Sequence, residues 1–79
     1  MSIQTIPDQT VDTSGRLCPV PVIHAKLAMD KLASGQVLLL IATDPGSKAD
    51  IPAWARASGH TLLAANTDDG RFSFLVKKR

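Results

Sequence analysis

The stretch from Val37 to Ala42 is the longest strongly apolar run in the chain, and any fold must bury it. It is far shorter than the roughly 18 residues that suggest a membrane span. It is also too short for a buried helix, whereas a strand covered by helix on one face, or buried on both, suits its length. We therefore predict a central strand from Val37 to Thr43.

A helical pattern precedes this strand. From Pro19 onward, apolar residues recur on one arc and polar residues on the other, which predicts an amphipathic helix that ends before Gly35. Proline is favoured at the first helical position because it fixes φ and has no N–H to leave unpaired. The pattern therefore predicts Cys18 as the residue that caps this helix.

A second helical segment follows the break at Asp44–Gly46. Ser47, with Asp50 three residues later, resembles a capping box, in which a side chain at the helix start accepts a backbone N–H. Pro52 would remove one hydrogen bond from a regular helix that began at Lys48. We therefore predict a regular helix from Ile51 to Ser58, preceded by a preliminary turn or a bend.

Three further segments have the residue pattern of strands. They are Gln9–Thr13, His60–Asn66 and Arg71–Lys77. The last two are joined across Thr67–Gly70, where Asp-Gly favours a hairpin, and alternation places Phe72 and Phe74 towards the core. The predicted fold is an α/β (α+β) two-layer sandwich of order β-α-β-α-β-β, with two helices on one face of a four-stranded mixed sheet. We expect one domain over residues 1–79, with residues 1–7 loose.

The content of cysteine and histidine limits the chemistry. Cys18 is the single cysteine, so no disulfide can form within the chain, and it does not form a zinc framework with the scattered His24 and His60. We expect no metal and no cofactor. An unpaired cysteine fits a reducing compartment, and the N-terminal residues lack the pattern of a secretory signal. These features predict a cytoplasmic protein without a membrane segment.

Cys18 is the main candidate for chemistry. At a helix N-terminus its thiolate would be stabilised by unpaired N–H groups and by the helix dipole, which favours a nucleophile. Pro19 and Pro21 stiffen the first turn, and Arg16 could add positive charge. The alternative from local physics is a small buried apolar side chain, because free cysteine is among the most buried residues.

Two surface features also suggest partners. Ile23 and Leu27 interrupt the polar arc of the first helix, and they are either a docking patch beside Cys18 or isolated exposed residues. The charge is uneven as well. Up to Gly70 there are five basic and seven acidic residues, whereas the remaining residues include four basic and no acidic ones. Either this end is a solvated tail, or the chain is a small RNA-binding domain that uses its basic residues, Arg71, Lys77, Lys78 and Arg79.

The motif Cys18-Pro19-Val20-Pro21 resembles the CPxP signature of the TusA/SirA-like sulfur-carrier family. Further segments that resemble the family pattern follow in order and extend the likeness over roughly residues 9 to 78. They are Asp44-Pro45, Asp50-Ile51-Pro52, Gly59-His60-x-Leu62 and the strand Phe72 to Lys77. Proteins of this family have the β-α-β-α-β-β fold, which agrees with the order predicted from periodicity.

The resemblance implies that Cys18 carries sulfane sulfur as a persulfide. A cysteine desulfurase or a rhodanese would supply the sulfur and an acceptor sulfurtransferase would receive it, both in transient complexes. The chain would then be a sulfurtransferase-type carrier rather than a turnover enzyme, and we expect a monomer that does not need nucleic acid. The resemblance implies that the chain supplies sulfur to one of three pathways: tRNA thiolation, molybdenum-cofactor assembly or sulfur oxidation. The absence of a resolving cysteine disfavours a thiol peroxidase or redox sensor.

Overall fold

The computed structural model of the chain describes residues 6–17 and 19–79. The elements within this part of the chain are β1 (Gln9–Thr13), α1 (Val20–Asp30), β2 (Val37–Ala42), α2 (Ser47–Ala57), β3 (Thr61–Asp68) and β4 (Arg71–Lys77). Their order and number match the sequence prediction, and the predicted α/β fold class is confirmed.

The four strands form one mixed sheet in the order β1-β2-β4-β3. The crossover through α1 makes β1 and β2 parallel, as a helical connection allows, while the neighbouring pairs are antiparallel. The predicted central strand, β2, lies between β1 and β4. Because β1 is parallel to β2, its C-terminal residue Thr13 lies beside Ala42, at the same end of the sheet. This arrangement sets where the chain enters α1.

The core lies between the sheet and the two helices. From the sheet, Leu38, Leu40 and Val76 are fully buried, and from the helices Met29 and Ile51 are buried against them. The prediction that Phe72 and Phe74 face the core is also confirmed, since both are buried. The opposite face of the sheet carries side chains that remain partly exposed, among them Leu39, Ile41 and Leu75.

The predicted limits of α1 are wrong at both ends. The helix begins at Val20 with Pro19 as its cap, so the prediction that Cys18 caps it is corrected by one residue. A proline is tolerated anywhere in the first turn, and here Pro21 rather than Pro19 is the helical one. The helix ends at Asp30, well before Gly35. The Lys31 N–H donates to the carbonyl of Ala28, only three residues earlier, so the regular pattern of bonds between residues four apart stops there.

The start of α2 also differs from the prediction. The helix is continuous from Ser47, includes Pro52, and is preceded by Gly46 with no side-chain hydrogen bond at the cap. The predicted capping box is therefore wrong. Ser47 is fully buried, and its hydroxyl has no hydrogen-bond partner in the described part of the chain.

The hairpin between β3 and β4 is tighter than predicted. β3 extends to Asp68, which pairs with Arg71, so the turn consists of Asp69 and Gly70 alone. Both turn residues have positive φ, 51° and 80°, which is typical of the two-residue hairpin turn that matches strand twist. A β-bulge at Leu63, between Leu62 and Ala64, interrupts the pairing of β3 and was not predicted.

Candidate functional site around the start of α1

Two hydrogen bonds fasten the chain to β2 where it leaves the sheet for α1. The buried Thr13 hydroxyl donates to the carbonyl of Ile41 at 2.7 Å. The Gly15 N–H donates to the hydroxyl of Thr43 at 2.8 Å, and Gly15 has φ of +81°, which favours glycine. The segment that precedes Cys18 is therefore held against the end of the central strand. These contacts could not be predicted from the sequence, in which a threonine at the end of each of two strands is the only related signal.

Asp12 and Ser14 form a second local anchor. The Asp12 carboxylate accepts hydrogen bonds from the Ser14 hydroxyl and from the Ser14 N–H, the latter at 2.9 Å. These two bonds, and more weakly the Arg71 guanidinium, hold the pKa of Asp12 below its usual value. The carboxylate is therefore ionised at neutral pH and fixes the turn, which leaves it poorly suited to proton transfer.

The backbone on both sides of Cys18 is also hydrogen-bonded. The Arg16 N–H donates to the carbonyl of Thr13 at 3.0 Å, and the Val20 N–H donates to the carbonyl of Leu17 at 2.9 Å. Cys18 itself, the predicted nucleophile, lies outside the described residues. The described chain thus brings the residues before and after it into a short connection between β1 and α1.

The three residues predicted to support Cys18 lie in different environments. Pro21 is buried under the first turn of α1, whereas Pro19 and Arg16 are exposed. The Arg16 guanidinium makes no hydrogen bond or ion pair with residues 6–17 or 19–79. The first turn of α1 contains no acidic side chain, so nothing there offsets the positive end of the helix dipole.

Three exposed large apolar side chains lie on this connection and on α1. Ile23 and Leu27, predicted as a docking surface, are 49% and 55% exposed, and they share one helix face because they are four residues apart. Leu17, which precedes Cys18, is 73% exposed and was not singled out in the sequence. We call Leu17, Ile23 and Leu27 the apolar patch.

The basic residues near the C-terminus do not form one edge. β4 runs the length of the sheet, so Arg71 lies at the end near Asp12, while Lys78 and Arg79 lie at the opposite end. Lys78 is not a solvated tail residue, because its ammonium donates to the carbonyl of Leu32. The sequence did not reveal this separation, since it depends on the direction of β4.

Residues 6–17 and 19–79 contain no cluster of three or more histidine, cysteine or acidic side chains that could hold a metal ion. No helix in the same part of the chain has both the length and the apolar character that a membrane crossing requires.

Fold and site together define a class of protein: a small α/β two-layer sandwich whose single cysteine lies, in sequence, between β1 and a first helix that has one proline at its cap and another in its first turn. The chain belongs to the family described as Sulfurtransferase TusA, whose model matches residues 9–78. The family expected from the CPxP motif and the later segments is thereby confirmed.

Similar proteins agree with this assignment. The sulfur carrier protein TusA of Allochromatium vinosum is 46% identical over 71 residues, which cover 90% of this chain and 93% of that protein. A putative sulfur carrier protein of Bacillus subtilis, YrkI, is 39% identical over 90% of this chain and 95% of its own length. The crystal structure of a SirA-like protein from Desulfitobacterium hafniense superposes with a TM-score of 0.78 at 27% identity, covering 87% of this chain and 95% of that one.

Proposed function

We propose that the protein is a sulfur carrier in which Cys18 holds sulfane sulfur as a persulfide and passes it to an acceptor protein. The observation that carries this proposal is the position of the only cysteine in the CPxP motif of a chain that belongs to the TusA family. Without a second cysteine, no thiol of the same chain can discharge the persulfide as a disulfide.

The transfer requires two exchanges at sulfur. In the first, the Cys18 thiolate attacks the terminal sulfur of a donor persulfide, the sulfur–sulfur bond of the donor breaks, and the donor leaves as its thiolate. In the second, an acceptor thiolate attacks the outer sulfur of Cys18, which leaves again as a thiolate. Electrons balance in each step because one sulfur–sulfur bond forms as another breaks, so no oxidant is needed.

Local electrostatics favour the thiolate form that both steps require. α1 starts two residues after Cys18, and its first turn carries no carboxylate to offset the dipole. Arg16, exposed and without a partner in the described chain, adds a positive charge two residues before Cys18. Pro19 and Pro21 restrict the backbone of the same segment.

The apolar patch is the proposed surface for the protein partners. Its three side chains flank Cys18 in sequence or follow it on one face of α1, and exposed apolar groups of this kind favour contact with another protein. The proposed donors are a cysteine desulfurase or a rhodanese, and the proposed acceptor is a sulfurtransferase. We place these transient complexes in the cytoplasm and expect the free protein to be a monomer.

Intact-protein mass spectrometry tests the carrier function. After incubation with a cysteine desulfurase and cysteine, wild-type protein should gain the mass of one sulfur, which a thiol reductant removes. The Cys18→Ser variant should gain nothing. A wild-type protein that takes up no sulfur from a desulfurase, a rhodanese or polysulfide would contradict the proposal.

The same assay tests the docking surface. Ile23→Gln with Leu27→Gln should slow loading from a protein donor but leave loading from polysulfide unchanged, because only the protein donor needs the patch and these changes place no carboxylate near the start of α1. Leu63→Gln is the matched control, since Leu63 is 44% exposed on the bulge of β3, away from α1. If the wild type, the double variant and the Leu63 variant were all loaded at the same rate by the protein donor, the assignment of the apolar patch as a docking surface would be refuted.

A further inference from the structure

A concave site lies towards the C-terminal end of α1. The cleft has a volume of about 320 Å³, within the range of small-ligand sites, and is formed where α1, the end of α2, the residue before β3 and the residues after β4 meet. Its lining includes three permanent cations, one carboxylate and two aromatic rings: Lys26, Lys78, Arg79, Asp30, Trp54 and His60. Nothing in the sulfur-carrier proposal uses these residues.

The sheet register separates this cleft from the strand end that leads to Cys18. Lys77, which leads to the cationic residues, pairs with Val37 and with Thr61. Thr13, which leads to Cys18, pairs with Ala42 at the far end of β2. The two sites therefore lie at opposite ends of the sheet.

The cations are positioned by hydrogen bonds. The Lys78 ammonium donates to the carbonyl of Leu32, while the Lys78 N–H donates to the carbonyl of Gln36 at 2.8 Å and continues the edge of the sheet. The Arg79 N–H donates to Nδ1 of His60 at 3.2 Å. Within the described chain the Arg79 guanidinium has no carboxylate partner, and its stem lies beside Gly59. These contacts hold two positive charges at one wall of the cleft.

The opposite wall has one neutralised pair. Lys26 Nζ and Asp30 Oδ2 are 3.1 Å apart, the two residues are one helical turn from each other, and both side chains are mostly exposed. The carboxylate therefore offsets one of the three cations and leaves a net positive cleft. Burial is the main cause that lowers the pKa of His60, and the Arg79 and Lys78 cations lower it further. The effect of these two cations agrees with a net positive cleft.

Two aromatic groups also line the cleft. The ring centroids of Trp54 and His60 are 5.4 Å apart, and the ring planes are tilted by 54°. Because Nδ1 of the neutral His60 ring accepts the Arg79 N–H, its proton is on Nε2, which remains available as a donor. Trp54 is half-buried, with its inner part against the core. A planar ring can stack on the exposed part of the Trp54 indole while an anion binds the cations beside it.

We propose that this cleft binds a phosphorylated ligand with a planar ring, a nucleotide unit, with its phosphates at Lys26, Lys78 and Arg79 and its base on Trp54. The ligand is either a free nucleotide or one unit of a single-stranded RNA, which present the same chemistry. Binding here is independent of sulfur transfer at Cys18.

The test uses the full chain with any purification tag at its N-terminus, because Arg79 lines the cleft. Titration calorimetry at low salt is run with adenosine diphosphate, pyrophosphate, adenosine and a short oligoadenylate. NMR follows the indole N–H signal, which Trp54 alone contributes since it is the only tryptophan. We expect adenosine diphosphate to bind more tightly than either pyrophosphate or adenosine and to shift this signal.

Substitutions locate the binding. Lys26→Gln and Arg79→Gln should each weaken binding of adenosine diphosphate about tenfold, the usual scale for one charge-assisted hydrogen bond. Lys26→Gln breaks only an exposed ion pair, so the protein stays folded. Lys31→Gln, the matched control directly after the same helix but outside the cleft, should change binding little. Cys18→Ser should bind like the wild type, which separates this result from any failure of the carrier function.

The outcomes are distinct. If the oligoadenylate binds more tightly than adenosine diphosphate, RNA is the source of the ligand; otherwise it is a free nucleotide. The proposal is overturned if neither binds, if pyrophosphate or adenosine binds as tightly as the diphosphate, or if Lys31→Gln weakens binding as much as the cleft variants do.

Discussion

Replacing Thr13 with valine removes one contact that holds the segment before Cys18. The Thr13 hydroxyl donates to Ile41 at 2.7 Å, and Thr13 is 1% exposed, so water cannot replace the bond. A net loss of about 1 kcal/mol in the free energy of unfolding follows from removing one neutral hydrogen bond. For a domain of this size that loss lowers Tm by about 4–8 °C. Urea denaturation should therefore show a lower midpoint with an unchanged slope.

Thr13→Ser separates stability from positioning. Serine keeps the hydroxyl but loses a buried methyl group, which also costs about 0.8 kcal/mol. Both variants should thus be destabilised to a similar degree, yet only Thr13→Val should slow the alkylation and sulfur loading of Cys18, because only valine releases the segment from β2. If both variants load sulfur at the same rate as each other, the hydrogen bond does not position the site and this reasoning fails.

Three further perturbations test other parts of the structure. The pKa of His60 is lower in the folded protein than in the unfolded chain, so the unfolded chain binds a proton at this histidine at a higher pH. The contribution of His60 to the free energy of unfolding is therefore complete above pH 6.5 and is lost as the pH falls from there through the folded-state pKa. His60→Gln should reduce this loss in urea titrations at several pH values, and an unchanged loss would exclude His60 as its source. Gly59→Ala should cost about 1 kcal/mol or more in thermal melts, because Gly59 has φ of +79° and a Cβ would lie 3.3 Å from Arg79; an unchanged Tm would contradict the strained geometry. Ser47→Ala should leave stability unchanged or raise it, since the buried hydroxyl has no partner in the described chain; a loss near 1 kcal/mol would show that it has one.

Strand positions were predictable where alternation alone decides them. β1 and β4 have the predicted bounds, and in β4 Phe72, Phe74 and Val76 alternate with more exposed residues. Helix ends were less predictable because several residues can supply the same signal. Two prolines fit the first turn of α1, and the sequence does not say which one lies inside the helix.

Features that depend on distant residues were not visible in the sequence. Gly35 looked like a helix terminator, but its N–H bonds to the carbonyl of Lys78, on another part of the chain. Ser47 looked like a cap, but tertiary packing buries it inside the helix. Likewise, the motif identified Cys18 as the candidate nucleophile. The hydrogen bond from Gly15 to Thr43, which holds the segment before Cys18, could be found only in the folded structure. Local patterns therefore indicated the candidate nucleophile but not the contacts that support its segment.

The bulge at Leu63 affects how copies of the protein meet. β3 is an outer strand, and an uninterrupted outer strand offers a row of backbone groups on which another chain can extend the sheet. The extra residue breaks the regular spacing of that row near the start of β3. The bulge therefore disfavours edge-to-edge aggregation, so that the chain can leave the apolar patch exposed without also offering a regular strand edge to a second copy.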